Sequence, residues 1–185
     1  YFRKFTHYFP HCEMYRGETN KFSDLLKNLS DLPRLNLPPA PLRIQTCDDG
    51  VTRVYCPLRR RLVALTPEEW VRQHFVHHLV NDLGYPAPLL ANEVSITLNS
   101  TSRRCDTVLY SSAGLRPLMI VEYKAPHIPV TQSVFDQIVR YNMVLRVPLL
   151  IVSNGLSHYC CSVDYDTRAV RFLPTIPEWS SLRER

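Results

Sequence analysis

Three charged residues near the middle of the chain, Asp106, Glu122 and Lys124, have the types and spacing of a group that can do chemistry. Glu122 and Lys124 follow the apolar run at residues 118–121, which is typical of a buried strand. Because side chains alternate between the two faces of a strand, Glu122 and Lys124 are predicted to point the same way. Opposite charges at the end of a buried strand are costly unless they are paired or bind something.

Asp106 can supply a second carboxylate to this pair, because it lies at the start of the preceding predicted strand. Two hard oxygen ligands beside an ammonium group suit Mg²⁺ or Mn²⁺ held over a phosphodiester. The alternative is purely structural. Glu122 and Lys124 would then pair with each other, and Asp106 would pair with Arg103 or Arg104 in a surface bridge of little energetic value.

The elements that must position these residues can be predicted from the chain on either side. A helix is predicted from Thr66 to about Leu83, with Thr66 as N-cap, Pro67 as first residue and Glu69 completing a capping box. The pattern after it predicts strands at residues 92–98, 106–110 and 118–124, a helix at 131–145, and a buried strand at 147–153. A helix between two apolar strands implies a crossover connection, and hence a mixed sheet covered on both faces.

Two hairpins are predicted to flank this core. The first lies within residues 42–64 and turns at Asp48, Asp49 and Gly50. The second, a closing hairpin, spans residues 159–173. The arginine run at residues 59–61 either contacts phosphates or is a solvated face, and its sequence does not decide between the two.

The N-terminal residues differ in composition from the rest. Residues 1–32 are rich in aromatic side chains, and residues 33–41 contain four prolines, which favours an extended connector. We therefore predict an arm and Pro-rich connector at residues 1–41, with a short helix from Ser23 to Leu32. His7, His11 and Cys12 have no fourth ligand spaced to complete a zinc site.

Length and composition fit one globular domain with a short attachment. The chain has 185 residues, of which 45% are hydrophobic and 21% charged. Its formal charge of +5 permits a polyanionic partner. The apolar runs are too short to span a bilayer and no stretch is typical of a signal peptide, so a cytoplasmic protein is expected. The six cysteines lack paired CxxC spacing and are expected to be structural thiols.

Together with this element order, the charged trio resembles the PD-(D/E)XK nucleases, and more narrowly the nuclease domain at the N-terminus of type I restriction enzyme R subunits. The segment QIVRY contributes Gln137 and Tyr141, similar to the Q-x-x-x-Y motif of this branch, and residues four apart share a helix face. The resemblance covers residues 66–173. Cys105 stands where the motif's namesake has proline before Asp106.

The resemblance implies an α/β fold with a restriction-endonuclease-like core of order αβββαβ, a mixed sheet flanked by helices, and an N-terminal extension. The nuclease-like domain would then span residues 42–185, with its core at 66–153. The implied metal ligands are Asp106, Glu122 and the backbone carbonyl of Tyr123, and the implied ion is Mg²⁺ or Mn²⁺.

The same resemblance implies roles for the remaining polar residues. Lys124 would orient the attacking water or stabilise charge on the transition state. Gln137 and Tyr141 would steady the nucleic-acid backbone or the lysine. Glu69 matches the acidic helix residue that many such nucleases direct at the metal through water, although capping already accounts for it.

Two functions follow as expectations. The first is a metal-dependent DNA endonuclease related to restriction or defence, without its own motor, whose phosphate contacts could include Arg59, Arg60, Arg61, Arg103 and Arg104. The second is a non-catalytic nucleic-acid-binding or adaptor module that keeps the nuclease fold. In either case the N-terminal arm could bind a protein partner or a second copy of the chain.

Overall fold

The computed structural model describes residues 31–98, 101–113 and 116–182. Most of the predicted N-terminal arm therefore lies outside the described residues, including His7, His11, Cys12 and nearly all of the predicted helix at 23–32. Within the part that is described, two sheets are formed, one of three strands and one of six.

The small sheet comes first along the chain. It contains β1 (Ile44–Thr46), β2 (Thr52–Cys56) and β3 (Arg61–Ala64), paired antiparallel in the order β1-β2-β3. The predicted hairpin is present as β1 and β2. The third strand is not predicted from the sequence. Its first residue, Arg61, belongs to the arginine run, which is interpreted as a phosphate contact or a solvated face and not as part of a strand.

The large sheet is mixed, as predicted. Its six strands are β4 (Leu90–Leu98), β5 (Thr101–Tyr110), β6 (Pro117–Tyr123), β7 (Leu149–Ser153), β8 (His158–Asp164) and β9 (Ala169–Leu173), in that spatial order. The β6–β7 pair is parallel and every other pair is antiparallel. A parallel pair needs a crossover, which a helix provides. The predicted closing hairpin is β8 and β9.

The described helices are α1 (Pro67–Asn81), α2 (Gln132–Leu145) and the short α3 (Trp179–Leu182), besides one 3₁₀ turn at Ala87–Leu89. Thr66 caps α1 by accepting a hydrogen bond from the backbone N–H of Glu69 at 3.0 Å. Thr131 caps α2 in the same way, from the N–H of Val134 at 3.4 Å. Both predicted N-caps are confirmed. The predicted capping box is not completed, because the Thr66 N–H donates to the carbonyl of Ala64 at 3.1 Å rather than to the Glu69 side chain. The order from α1 to β7 is the predicted helix, three strands, helix, strand.

Each long helix covers one face of the large sheet. The buried side chains Val71, Phe75 and Leu79 of α1 pack with Val121 of β6 in one core cluster. Ile120 of the same strand packs with side chains of α2 in the other cluster, together with Phe135 and Ile138. The alternation along β6 therefore places Glu122 on the same face as Ile120, the face that α2 covers.

The proline-rich segment before the small sheet packs against the domain. Leu35 is 8% exposed and lies in the same core cluster as α1. The N–H of Asn36 donates to the carbonyl of Gly155 at 2.7 Å, and Trp70 Nε1 donates to the carbonyl of Pro33 at 3.1 Å. Gly155 has a φ of +81°, and a Cβ there would lie 2.7 Å from a Leu35 methyl. The segment is irregular, as predicted, but it is packed rather than free.

Replacing Leu35 by alanine is expected to lower the free energy of unfolding by about 2–3 kcal/mol, because a buried leucine is removed from contact with the α1 core. Urea denaturation followed by tryptophan fluorescence would measure this, since Trp70 is bonded to the same segment. Arg34→Ala, next to it but exposed, is the matched control. Equal midpoints for the two variants would show that the segment contributes nothing to stability.

The described cysteines form no disulfide bonds, and none of the described helices could cross a membrane. Cys47, Cys56, Cys105, Cys160 and Cys161 are all free thiols. Among the described residues, no helix is long and apolar enough to cross a membrane.

Candidate active site

Asp106 and Glu122 face each other across the β5–β6 pair. The antiparallel ladder joins Val108 to Ile120 and ends with the pair of Thr107 and Val121, and Asp106 and Glu122 are the next residues of the two strands beyond that last pair. Side chains directly opposite one another in such a pair lie on the same face, with Cβ atoms about 5 Å apart. The two predicted carboxylates are therefore neighbours on adjacent strands. Asp106 lies in the middle of β5 and not at the start of its strand as predicted, whereas Glu122 is next to the last residue of β6.

The pKa of Glu122 also reflects the nearby carboxyl group of Asp106. Burial, the negative charge of Asp106 and a hydrogen bond with its carboxyl group together raise the pKa of Glu122 to about 8. A carboxyl group that is both desolvated and next to a second carboxyl group favours its neutral form. A bound cation would relieve this repulsion.

Lys124 lies just beyond the end of β6. Its backbone N–H donates to the carbonyl of Ser153 on β7 at 2.9 Å, which continues the parallel ladder and fixes its direction. The Lys124 charge acts to lower the pKa of both Glu122 and Glu68, against the burial that raises each of them. The ammonium group is thus in the electrostatic range of two carboxylates from two different elements.

Asp106 is held from two directions. Its Oδ2 accepts a hydrogen bond from the backbone N–H of Tyr123 at 2.8 Å. Its Oδ1 accepts from Nη2 of Arg72, a residue of α1, at 3.0 Å. The alternative surface bridge from Arg104 to Asp106 does not form, because Arg104 pairs with Glu93 at 2.6 Å instead. The side chain of Arg103 is outside the described residues.

The helix carboxylate that interacts electrostatically with Asp106 is Glu68. Burial raises the pKa of Glu68, and the charge of Asp106 raises it further. Glu69 is 4% exposed and pairs with both Arg59 and Arg72, and Gln73 Nε2 donates to it at 2.6 Å. The predicted Glu69 therefore lies in a buried ion-pair network, and its neighbour faces the site. The two differ by one position, which rotates the side chain by about 100° around the helix.

The predicted phosphate-contact arginines do not share one environment. Arg59 is committed to ion pairs with Glu69 and Glu93, the latter at 3.1 Å. Arg60 and Arg61 are exposed at the start of β3. Arg61 also lines an open cleft of about 390 Å³ between β3 and the start of α1, whose other lining residues include Glu68 and Arg72.

The two residues of the predicted Q-x-x-x-Y motif lie within α2. Their side chains, those of Gln137 and Tyr141, fall outside the described part of the chain. The helix α2 nevertheless covers the sheet face on which Glu122 lies.

The donor set can be tested against a divalent ion. Among the described residues, no group of three or more His, Cys, Asp or Glu side chains is arranged to hold a metal. Asp106 and Glu122 supply two carboxylates, and each oxygen of Asp106 has a second lone pair beyond the hydrogen bond that it accepts. Hard carboxylate oxygens fit Mg²⁺, which keeps several water ligands and is commonly bound through one or two carboxylates. The chemistry of the set therefore suits Mg²⁺ or Mn²⁺.

Sequence reasoning missed three residues of this site: Glu68, Arg72 and Glu93. The i, i+4 spacing of Glu68 and Arg72 on one helix was a readable signal of pairing. Nothing in the sequence marks Arg72 as buried, because arginines are mostly exposed.

Comparisons with known proteins relate this chain to a protein family and to a solved structure. The family model described as "Type I restriction enzyme R protein N terminus" matches residues 67–177, more than half of the chain. A fragment described as an HsdR subunit of a type I restriction enzyme from Vibrio vulnificus YJ016 is similar over 65% of this chain, with 20% identity and a TM-score of 0.47. The chain spans 25% of that protein's chain. Among curated proteins, no match is found.

Proposed function

Since this chain belongs to the family of type I restriction enzyme R protein N-termini, we propose that it is a PD-(D/E)XK-type nuclease domain that hydrolyses DNA phosphodiester bonds with a divalent cation. The proposed core is the restriction-endonuclease-like αβββαβ arrangement from α1 to β7. The observation that carries the proposal is the register of β5 and β6, which sets Asp106 opposite Glu122 beside Lys124.

Each residue then has a defined task. Asp106, Glu122 and the backbone carbonyl of Tyr123 would hold Mg²⁺ or Mn²⁺, which when bound neutralises phosphate charge and lowers the pKa of a coordinated water. Lys124 would stabilise the negative charge that develops on the phosphate oxygens during attack. Gln137 and Tyr141, on the helix that covers the same face, would orient the nucleic-acid backbone or Lys124.

The DNA surface is proposed to include the start of β3. Arg60 and Arg61 are exposed there, next to the cleft at the N-terminus of α1. Phosphate contacts from such residues position a duplex without reading its sequence, and they weaken as salt is raised. Arg59 is left out of this surface because its guanidinium is paired with two glutamates.

Cleavage of a supercoiled plasmid tests the proposed function. Nicked or linear product is expected with Mg²⁺ or Mn²⁺ and no product with EDTA. Because the chain spans a quarter of the similar protein, the assay should be repeated with any longer form of the chain. Absence of cleavage by both forms at saturating Mn²⁺ would remove the catalytic assignment.

One observation favours the alternative, a non-catalytic DNA-binding or adaptor module. Both carboxylate oxygens of Asp106 already accept hydrogen bonds, one from Arg72 and one from the N–H of Tyr123. A protein that retards DNA in a gel without cleaving it under any divalent cation would support this second function.

Glu68 and Glu69 are expected to respond differently to the same substitution. Glu68→Gln should lower cleavage about 10–100-fold with little change in melting temperature, because the half-buried Glu68 carboxylate faces Asp106. Glu69→Gln should mainly lower stability, because two arginines lose their shared buried partner. Cleavage rates and thermal melts of the two variants, side by side, measure both effects. If Glu69→Gln instead lowered cleavage and Glu68→Gln lowered stability, Glu69 would be the catalytic residue.

A further inference from the structure

Arg72 is a buried guanidinium at the centre of four carboxylates. The residue is 3% exposed. Its Nη2 contacts Asp106 at 3.0 Å and Glu68 at 3.2 Å. Its Nη1 contacts Glu69 and, at 3.4 Å, Glu93. Among the described residues its Nε has no hydrogen-bond partner, so all of these contacts are made through the two terminal nitrogens.

The same guanidinium is fixed relative to Tyr123. It lies over the Tyr123 ring, with 5.6 Å between the guanidinium carbon and the ring centroid. The backbone N–H of Tyr123 in turn donates to Oδ2 of Asp106 at 2.8 Å. Arg72 and Tyr123 therefore contact each other, and each of them donates a hydrogen bond to Asp106. Two bonds at the two oxygens define the plane of the Asp106 carboxylate.

The backbone opposite Asp106 is also distorted. The β4–β5 register pairs Asn92 with Thr107 and Val94 with Cys105, and the intervening pair of Glu93 and Asp106 is skipped. Glu93 has a φ of +55°, in the left-handed region, which is unusual for a glutamate within a strand. Strained backbone of this kind persists where neighbouring groups hold it, and it clusters at functional sites. Here Glu93 is held by Arg59, Arg72 and Arg104.

We propose that Arg72 is a positioning residue that sets the orientation of Asp106 and of Glu68 for the reaction. This rests on the proposed function, in which Asp106 holds the cation. Arg72 is too buried to contact DNA. It acts through Asp106. Oδ1 accepts from Arg72 and Oδ2 accepts from the Tyr123 N–H, which leaves one lone pair on each oxygen for the cation.

Arg59 provides a matched comparison, which separates positioning of Asp106 and Glu68 from stabilisation of the fold alone. Arg59 pairs with the same Glu69 and Glu93 that Arg72 contacts, and its side chain is 11% exposed. Its ion pairs do not include Asp106 or Glu68. If the network only stabilised the fold, equivalent changes at the two arginines would have equivalent effects.

The test compares Arg72→Lys with Arg59→Lys. Both keep the charge, so the electrostatic field at the cation site is nearly unchanged, while a single lysine nitrogen cannot reproduce contacts made by two guanidinium nitrogens. The first measurement is the Tyr123 amide resonance in ¹H–¹⁵N spectra without divalent ions, which reports its bond to Asp106. The second is plasmid cleavage at saturating Mn²⁺, separated into kcat and KM.

For Arg72→Lys we expect a displaced Tyr123 amide resonance and a kcat about 10–100-fold lower, with KM for DNA unchanged. For Arg59→Lys we expect neither effect. An unmoved Tyr123 resonance in Arg72→Lys, or equal effects of the two variants, would overturn the inference. If the native chain does not cleave DNA, the proposed function fails, but the Tyr123 resonance still decides whether Arg72 orients Asp106.

Discussion

Lys124→Ala is expected to lower the rate of DNA cleavage about 10²–10³-fold, the loss typical of removing one group that stabilises developing charge. The reason lies in where β6 ends. The Lys124 N–H continues the ladder to Ser153 of β7, so the side chain is directed by a buried parallel pair rather than by a loop. Its charge reaches both Glu122 and Glu68, which places the ammonium group at the proposed cation site.

The measurement is plasmid cleavage at saturating Mg²⁺, with circular dichroism to confirm the fold and a gel shift to measure DNA affinity. Arg171→Ala is the control, because it removes one positive charge from an exposed position on β9. We expect Arg171→Ala to cleave normally. A Lys124→Ala protein that cleaves within threefold of the native rate would show that the lysine takes no part in the chemistry.

The elements of the large sheet were predictable because their signals are local. Thr66 and Thr131 each precede a helix with the expected spacing to the capped N–H, and the apolar run of β7 has no polar interruption. The strand β3 was missed because exposed residues dominate it: three of its four positions, Arg61, Leu62 and Ala64, are exposed. A strand without a buried face has no alternation to detect.

The site was predictable only in part, for a different reason. Strand alternation gives Glu122 and Lys124 a common face, but the register with Asp106 depends on the connection between β5 and β6, which the sequence does not fix. The choice between Glu68 and Glu69 depends on Arg59, which comes from the small sheet. Long-range ion pairs of this kind leave no periodic pattern, so the sequence alone does not show that Glu69 is paired with Arg59 and that Glu68 interacts with Asp106.

Glu122→Gln is expected to stabilise the protein in the absence of divalent ions while abolishing cleavage. In the folded protein the pKa of Glu122 is raised from 4.5 to about 8, by burial first and by Asp106 second. The folded state therefore binds this proton more tightly than the unfolded state, and stability is lost as pH rises between those two values. Above about pH 8 the native chain carries the full cost of a desolvated carboxylate beside another, which glutamine does not.

Thermal melts in EDTA would measure this difference. At pH 8.5 we expect Glu122→Gln to melt about 3–10 °C above the native chain, for a gain of about 1–3 kcal/mol, and the gap should close toward pH 5. Glu178→Gln, an exposed change of the same type, should melt like the native chain at both pH values.

Divalent ions should reverse the order of the melting temperatures, so that the native chain melts above Glu122→Gln. Mg²⁺ or Mn²⁺ bound at Asp106 and Glu122 would stabilise the native chain by mass action and would stabilise Glu122→Gln much less. The Glu122 carboxylate would then destabilise the protein without a cation and act as a ligand when the cation is bound. Residues selected for function often lower stability in this way. A Glu122→Gln protein that is less stable than the native chain in EDTA, or gains equally from Mn²⁺, would contradict a cation site at Glu122.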